Sequence, residues 1–271
     1  TPFVPNFLIG IAGGLQYKSF KRAAKQPRKR QEQTLREILD FAKDSVYGKE
    51  HHFAEILEAK DDTELYSRYQ QNVKPNEYED LRPLIERHKN GEPDVLFPGK
   101  PALYATTSGT TKEPKWIPIT QRYLGDIYGK MNLAWLYTMI RNRRKVFAGK
   151  LVSIVGKAVE GYAPDGTVCG SISGFAQKKC PQWMKDLSPY PFSVYAIEDY
   201  TARYYTIMRF GIEHNTTLII TANPSTIVEM QNNVNEYFDQ YVEDIENGTL
   251  NANLNIPDDI RESFKPFMKP N

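Results

Sequence analysis

A run of small hydroxyl residues precedes two lysines in residues 105–120, which read ATTSGTTKEPKWIPIT. The hydroxyl side chains are those of Thr106, Thr107, Ser108, Thr110 and Thr111. Small residues, together with Gly109, let a backbone turn sharply and bring its N–H groups close to an anion. Hydroxyls add hydrogen-bond donors and lysines add positive charge, so this composition suits the binding of a polyphosphate.

The Walker phosphate loop, G-x-x-x-x-G-K-[ST], is the first alternative for this stretch. Gly109 and Lys115 have its spacing, but Pro114 occupies the second glycine position and Trp116 replaces the hydroxyl residue that holds Mg²⁺. A Walker loop also opens a helix, which Pro118 disfavours here. The residues therefore predict a hairpin-like loop between two strands. A polar surface hairpin that binds nothing stays open as an interpretation.

Short apolar runs flank this loop and must position it. PALYATT, residues 101–107, predicts a strand that enters the loop, and KWIPIT, residues 115–120, predicts a strand that leaves it. Thr120 is then the predicted N-cap of a helix. Further along, KLVSIVG (150–156) predicts a buried strand, and residues 157–175 predict a β-excursion around the APDGT turn.

The clearest local unit lies near the C-terminal end. Residues 217–222 predict a buried strand, which Asn223 follows as a helix N-cap, with Pro224 at the first helical position. The apolar periodicity then continues as one helix to a stop at Gly248. A strand, a tight turn and a helix form half of a βαβ unit, so the sequence predicts an α/β fold.

The N-terminal third is predicted to be mainly helical. Residues 31–47 place apolar side chains on one helical face and end at Tyr47-Gly48. We therefore divide the chain into a helical lead-in, residues 1–90, and an α/β region, residues 91–271, with the phosphate loop at 106–115. The basic residues of 18–30 predict a solvated helix face, with contact to a membrane or nucleic acid as the alternative.

Composition narrows the class of function. The chain has 271 residues, 25% of them charged and 40% hydrophobic, and its net charge of +2 does not favour a nucleic-acid partner. The apolar stretch 7–15 is too short to cross a bilayer, so we expect no stable membrane insertion. Cys169 and Cys180 form no CxxC pair, and the histidines do not cluster with them. The sequence thus predicts free thiols in a reducing cytoplasm and no protein-held metal.

The segment TSGTTKEPK resembles the phosphate-binding loop of adenylate-forming enzymes, the superfamily of acyl-CoA ligases and luciferases. The matching positions are Thr107, Ser108, Gly109, Thr110, Thr111, Pro114 and Lys115. Lys112 departs from the pattern, because most of the superfamily has glycine there. The surroundings narrow the resemblance to the auxin-responsive promoter family, the acyl-acid amido synthetases. They comprise YEDLRPLIERHKNGEPDVLFPGKP, KWIPIT, AKDSVYGKEHHF, GSISG and TANPSTIVEM.

The resemblance implies both a fold and a reaction. The chain would be the N-terminal part of the large domain of such an enzyme, with βα units whose helices pack on mixed sheets. A carboxylic acid would attack the α-phosphate of ATP, with Mg²⁺ bridging phosphate oxygens, and the acyl-adenylate would then pass to an amine, usually an amino acid. Thr107, Ser108, Thr110 and Thr111 would donate hydrogen bonds to phosphate, Gly109 would permit close approach and Lys115 would supply charge.

Two later motifs of that family are not found after residue 115. One, aromatic-x-x-Ser/Thr-Glu, holds adenine and Mg²⁺; the other, Tyr-Arg-x-Gly-Asp, binds the ribose. The family's small C-terminal domain is not found either. We therefore expect an incomplete chain that is inactive alone. There are two alternatives. One is an enzyme that forms a thioester with coenzyme A, and the other is an inactive binding or regulatory module that retains the loop. The resemblance assigns no catalytic or substrate-binding residue here and no oligomeric state.

Overall fold

The computed structural model describes residues 3–106 and 114–271. The chain is a mixed α/β protein that folds into two compact units, interleaved along the sequence. The hairpin unit comprises Ala12–Trp135 and Val159–Gly170, and the parallel-sheet unit comprises Thr1–Ile11, Leu136–Ala158 and Ser171–Asn271. The sequence-based division at residue 90 stays a prediction.

Helices fill most of the described chain. The α-helices are α1 (Phe3–Ala23), α2 (Pro27–Ala42), α3 (Val46–Glu50), α4 (Phe53–Leu57), α5 (Asp62–Asn72), α6 (Tyr78–Lys89), α7 (Lys130–Asn142), α8 (Ile172–Lys179), α9 (Gln182–Lys185), α10 (Tyr200–Glu213), α11 (Ser225–Glu236), α12 (Phe238–Asn247) and α13 (Asp258–Phe264). A π-helix, Tyr123–Gly129, leads into α7, and short 3₁₀ turns span Phe192–Ala196 and Lys265–Phe267. In the described residues no helix has both the length and the apolar character needed to cross a bilayer.

The strands form two sheets. They are β1 (Leu103–Thr106), β2 (Trp116–Ile119), β3 (Lys150–Ile154), β4 (Gly161–Tyr162), β5 (Val168–Gly170) and β6 (Thr216–Thr221). The hairpin unit contains a mixed sheet of order β2-β1-β5-β4, in which β1 pairs antiparallel with β2 and parallel with β5. The two strands predicted around the loop are therefore confirmed. Thr120 also caps as predicted, since its hydroxyl accepts a hydrogen bond from Tyr123 N at 2.9 Å.

The predicted helix over residues 31–47 is wrong in its bounds. Helix α2 begins at Pro27, whose fixed φ suits a first helical turn, and it ends at Ala42. Ser45 then caps α3, because its hydroxyl accepts from Gly48 N at 3.0 Å. Gly48 is therefore inside a helix rather than a stop. Its lack of a side chain allows close packing, since a Cβ there would lie 2.0 Å from Ala42 O.

The predicted β-excursion over residues 157–175 is only partly correct. Strands β4 and β5 form around a turn at Asp165-Gly166, as the sequence indicates. The segment after β5 is instead helical. Ser171 is the N-cap of α8, because its hydroxyl accepts from Gly174 N at 2.9 Å.

The parallel-sheet unit is built on β3 and β6, which pair in parallel with Val152 opposite Ile219. After β6, Asn223 Oδ1 accepts from Ser225 N at 3.1 Å, and α11 begins at Ser225, just after Pro224. The prediction of one helix to Gly248 is wrong, because the chain bends at Tyr237 and divides it into α11 and α12.

Helix α10 packs into the main core of this unit. The buried apolar residues of that core include Val152, Ile197, Tyr205, Ile207, Phe210, Met230 and Phe264. Gly248 ends α12 with φ of +64°, a conformation that glycine adopts without strain.

Candidate functional site

The predicted phosphate loop lies between the two strands of the β1–β2 hairpin. Its residues Thr107, Ser108, Gly109, Thr110 and Thr111 fall outside the described part of the chain, so their contacts with phosphate stay predictions. The described ends of the loop are Thr106 and Lys115. Thr106 lies opposite Trp116 in the hairpin register, so the strands bring the two ends of the loop together.

Lys115 is exposed and lies against the ring of Tyr78. Its Nζ is 5.2 Å from the ring centroid, within the range of a cation–π contact. Tyr78 is the first residue of α6 and is half-buried. Its hydroxyl accepts a hydrogen bond from Trp116 N at 2.8 Å and lies 3.5 Å from Trp116 O. One tyrosine thus contacts both the predicted phosphate-binding lysine and the backbone of the next residue.

A second lysine of this region, Lys89, lies over the ring of Trp116. Lys89 Nζ is 4.3 Å from the Trp116 centroid, and it also pairs with Glu86 at 2.8 Å. The Lys89 side chain is only 13% exposed. Because Glu86 balances its charge, Lys89 suits a structural role. No carboxylate in the part of the chain that the structure describes forms an ion pair with Lys115, so its charge is available to an anion.

The ring of Trp116 rests on the core of the hairpin unit. It packs edge-on against Tyr104 of β1, with centroids 5.7 Å apart. Tyr104 is fully buried, and burial raises the pKa of its hydroxyl well above the ordinary value. Tyr104 and Trp116 belong to one apolar cluster with Ile85 of α6. This packing fixes the base of the hairpin to helix α6.

A carboxylate lies at the other end of the loop. Thr106 Oγ1 donates a hydrogen bond to Glu160 Oε2 at 2.7 Å, and Glu160 N donates to Cys169 O at 2.7 Å. Burial, together with the Glu160 charge, raises the pKa of the Cys169 thiol. A thiol that stays protonated is a poor nucleophile, so Cys169 suits a structural role. Glu160 was missed by the sequence analysis because 54 positions separate it from Thr106.

The described residues show which side chains a metal could use at this site. Among them, no three His, Cys, Asp or Glu side chains group together as a metal site. Mg²⁺ commonly keeps several waters and binds one or two carboxylates together with substrate phosphates. Glu160, at the base of the loop, is a carboxylate of the kind that such a complex uses.

The GSISG and TANPSTIVEM segments also carried the family resemblance, and all of their residues except Gly170 lie in the parallel-sheet unit. There the first segment caps α8 through Ser171, and it packs tightly, since a Cβ at Gly174 would lie 2.2 Å from Gly156 O. The second segment forms the end of β6 and the start of α11. The first of these segments therefore has a structural role at the start of α8.

Comparison with known proteins decides the family. The N-terminal domain of the GH3 family matches residues 16–271, which is nearly the whole chain. The chain belongs to the GH3 family. This is the auxin-responsive promoter family that the sequence resembles, so that prediction is confirmed.

Individual GH3 proteins support the family and the fold. A probable indole-3-acetic acid-amido synthetase, GH3.13, of Oryza sativa subsp. japonica is 31% identical over 108 residues, which is 39% of this chain and 19% of that protein. The solved structure of GH3.15 acyl acid amido synthetase superposes with a TM-score of 0.77 at 18% identity, covering 94% of this chain and 44% of that chain.

A second GH3 structure gives the same fold. The structure of AtGH3.15 in complex with 2,4-DB superposes with a TM-score of 0.67 at 19% identity, covering 88% of this chain and 42% of the other. The chain thus spans less than half the length of the GH3 proteins that it matches. At these identities the superpositions establish the fold, which is mixed α/β as the sequence predicts.

Proposed function

We propose that this chain holds the phosphates of ATP at its β1–β2 hairpin and belongs to an ATP-dependent acyl-acid amido synthetase. The observation that supports this most directly is the position of Lys115. It is the last residue of the predicted phosphate loop, it is exposed, and its charge is not paired with a described carboxylate. The GH3 relatives add the substrate class, since one is a probable indole-3-acetic acid-amido synthetase and another is an acyl acid amido synthetase.

The proposed reaction has two steps. The carboxylate oxygen of the acid attacks the α-phosphorus of ATP, and the bond to the β-phosphate oxygen breaks to release pyrophosphate. The amine of an amino acid then attacks the acyl carbon of the adenylate, loses a proton, and displaces AMP as the amide forms. Both steps need a site that binds and orients the reactants, with no covalent enzyme nucleophile.

The chain's own residues contribute to the first step. Negative charge builds on the β- and γ-phosphates as pyrophosphate leaves, and Lys115, just before the start of β2, would stabilise that charge. Thr107, Ser108, Thr110 and Thr111 would donate hydrogen bonds to the same oxygens. Mg²⁺, when bound, would neutralise phosphate charge, and Glu160 is the described carboxylate at the loop that would hold it.

We further propose that the protein works in the cytoplasm. Cys169 and Cys180 are both free thiols in the structure, as is usual in a reducing compartment. Burial raises the pKa of each thiol, which also slows its oxidation. Fractionation of cells that express the tagged full-length protein would test this location.

ATP–pyrophosphate exchange tests the proposed function. The full-length natural protein is assayed with aromatic, aliphatic and fatty acids, with and without Mg²⁺. We expect exchange that depends on one class of acid and falls about a hundredfold or more in Ser108→Ala and Lys115→Ala. Lys74→Ala is a matched control, because Lys74 is an exposed lysine of the same unit.

The outcomes separate the candidate functions. Acid-dependent exchange followed by amide formation with amino acids supports the amido synthetase. Exchange followed by a thioester with coenzyme A would instead indicate an acyl-CoA ligase. A folded full-length protein that shows no exchange with any acid would contradict the proposal and favour a binding or regulatory module.

A further inference from the structure

Tyr78 connects helix α6 to the residue most closely tied to the proposed chemistry. Its ring lies under the Lys115 ammonium, and its hydroxyl binds the backbone of Trp116, the next residue. We propose that Tyr78 is a positioning residue, which holds Lys115 in place for the nucleotide phosphates. The inference rests on the proposed function, because it assigns Tyr78 a role in the same site.

The physical argument begins with the flexibility of lysine. An exposed lysine side chain loses substantial rotamer freedom when it is held in one place, and that loss weakens binding. Because the Tyr78 ring already restricts the Lys115 ammonium, the lysine side chain loses less rotamer freedom when phosphate binds. The contact between Lys115 and Tyr78 is a weak one at a partly exposed site. A lysine ammonium has three N–H donors, so a phosphate oxygen can accept a hydrogen bond from Lys115 while the ring contact is kept.

The backbone contact adds a second constraint. Trp116 N donates to the Tyr78 hydroxyl at 2.8 Å, so the backbone is fixed immediately after Lys115. The Trp116 ring is in turn held between Lys89 and Tyr104. Tyr78 itself is held by the first turn of α6. Lys115 therefore extends from a backbone whose next residue, Trp116, is fixed both by its N–H group and by its ring.

A neighbouring cation does not substitute for Lys115. The Arg82 guanidinium also lies over the Tyr78 ring, at 5.3 Å from the centroid. Arg82 forms an ion pair with Glu79 at 2.7 Å, which satisfies much of its charge. Of the two cations on this ring, Lys115 is the one at the predicted phosphate loop.

Two substitutions separate the roles of the ring and the hydroxyl. Tyr78→Phe keeps the ring and loses the backbone hydrogen bond, whereas Tyr78→Leu loses both. We measure the Kd of Mg-ATP and of pyrophosphate by calorimetry, in the full-length protein. We expect Kd to rise about threefold in Tyr78→Phe and about tenfold in Tyr78→Leu, with circular dichroism unchanged. Tyr162→Phe is the control, because Tyr162 is a 65% exposed tyrosine of the same unit.

A double-mutant cycle with Lys115→Ala tests whether Tyr78 acts through the lysine. If it does, Tyr78→Leu should change Kd by less than about twofold once Lys115 is absent. An equal loss in both backgrounds would overturn the inference and leave Tyr78 a structural residue. Should Tyr78→Leu fail to fold, Tyr78→Met, which also removes the ring, replaces it in the cycle, and the cycle with Tyr78→Phe tests the hydroxyl contact alone.

The result is distinguishable from failure of the proposed function. If the unmodified protein binds neither Mg-ATP nor pyrophosphate, the proposed function fails and the inference with it. If it binds both and loses affinity in Lys115→Ala but not in either Tyr78 variant, the function stands and the inference alone is wrong.

Discussion

Removing the hydroxyl of Tyr205 should destabilise the parallel-sheet unit by about 2 kcal/mol. Tyr205, on α10, is fully buried and donates to Asp244 Oδ2 of α12 at 2.7 Å. Asp244 is 5% exposed and also accepts from Thr249 Oγ1 and Asn251 N, each at 2.7 Å. Burial raises the pKa of Tyr205 well above its ordinary value, and the hydrogen bond to Asp244 raises it further. The hydroxyl therefore stays a donor at all ordinary pH values.

The magnitude follows from what Tyr205→Phe changes. The ring keeps its volume and its stack on Tyr241, whose centroid is 4.2 Å away, so no cavity is created. One hydrogen bond to a buried carboxylate is lost, which is worth about 1.5–3 kcal/mol. Two other donors still satisfy the carboxylate, so the cost stays within that range. Asp244→Ala leaves all three donors without their acceptor and should cost about 4 kcal/mol.

Urea unfolding followed by far-UV circular dichroism measures the free energy of unfolding of each variant. Hydrogen exchange over residues 200–213 and 238–247 assigns the loss to this unit. Tyr200→Phe is the matched control, because Tyr200 is a 67% exposed tyrosine on the same helix and should change stability by less than about 0.5 kcal/mol. If Tyr205→Phe is as stable as that control, the network contributes nothing and the reasoning is refuted.

Two further predictions concern single residues. In the folded chain, His88 Nε2 accepts a hydrogen bond from Val95 N at 3.3 Å, and burial lowers the pKa of His88 below its ordinary value of 6.5. The unfolded chain therefore takes up the proton first, so this stability is present above about pH 6.5 and is lost as pH falls below it. The urea midpoint should decrease less steeply from about pH 7 to 5 in His88→Gln, and equal slopes would contradict this. Gly174→Ala should lower stability by about 3 kcal/mol, because the new Cβ would lie 2.2 Å from Gly156 O. Gly10→Ala is the control in the same thermal melts of both variants, because nothing outside its own helical turn lies within 4 Å of the new Cβ. It should keep stability or raise it by up to about 1 kcal/mol, since alanine is the better helix former.

Local sequence predicted the elements around the loop well. The strands β1 and β2 follow from apolar runs on either side of small turn residues, and these signals lie within the two strands themselves. The Thr120 cap is equally local. Tyr78 and Glu160 could not be found in this way. They lie 38 and 54 positions from the hairpin residues that they contact, and no local pattern encodes such a pairing.

Helix ends were less predictable because they depend on packing. The apolar repeat continues through Tyr237, and no glycine or proline marks the break between α11 and α12. The Tyr237 ring packs edge-on against Tyr205, with centroids 5.7 Å apart, so a contact between elements accompanies the bend. At α3 the sequence did contain the signal. Ser45, three residues before Gly48, caps the helix, but the glycine was interpreted as a stop.

Lys115 of the hairpin loop and Lys89 of α6 show why an aromatic ring and a carboxylate are different partners for a lysine. Glu86 holds Lys89 and cancels its charge, so that ammonium stabilises the fold and offers little to an anion. A neutral ring holds Lys115 by its quadrupole and leaves the full positive charge in place. A phosphate arriving at Lys115 therefore has no carboxylate of the described residues to displace. The loop motif supplies the lysine, but helix α6 supplies the ring that keeps its charge available, and the proposed chemistry needs both.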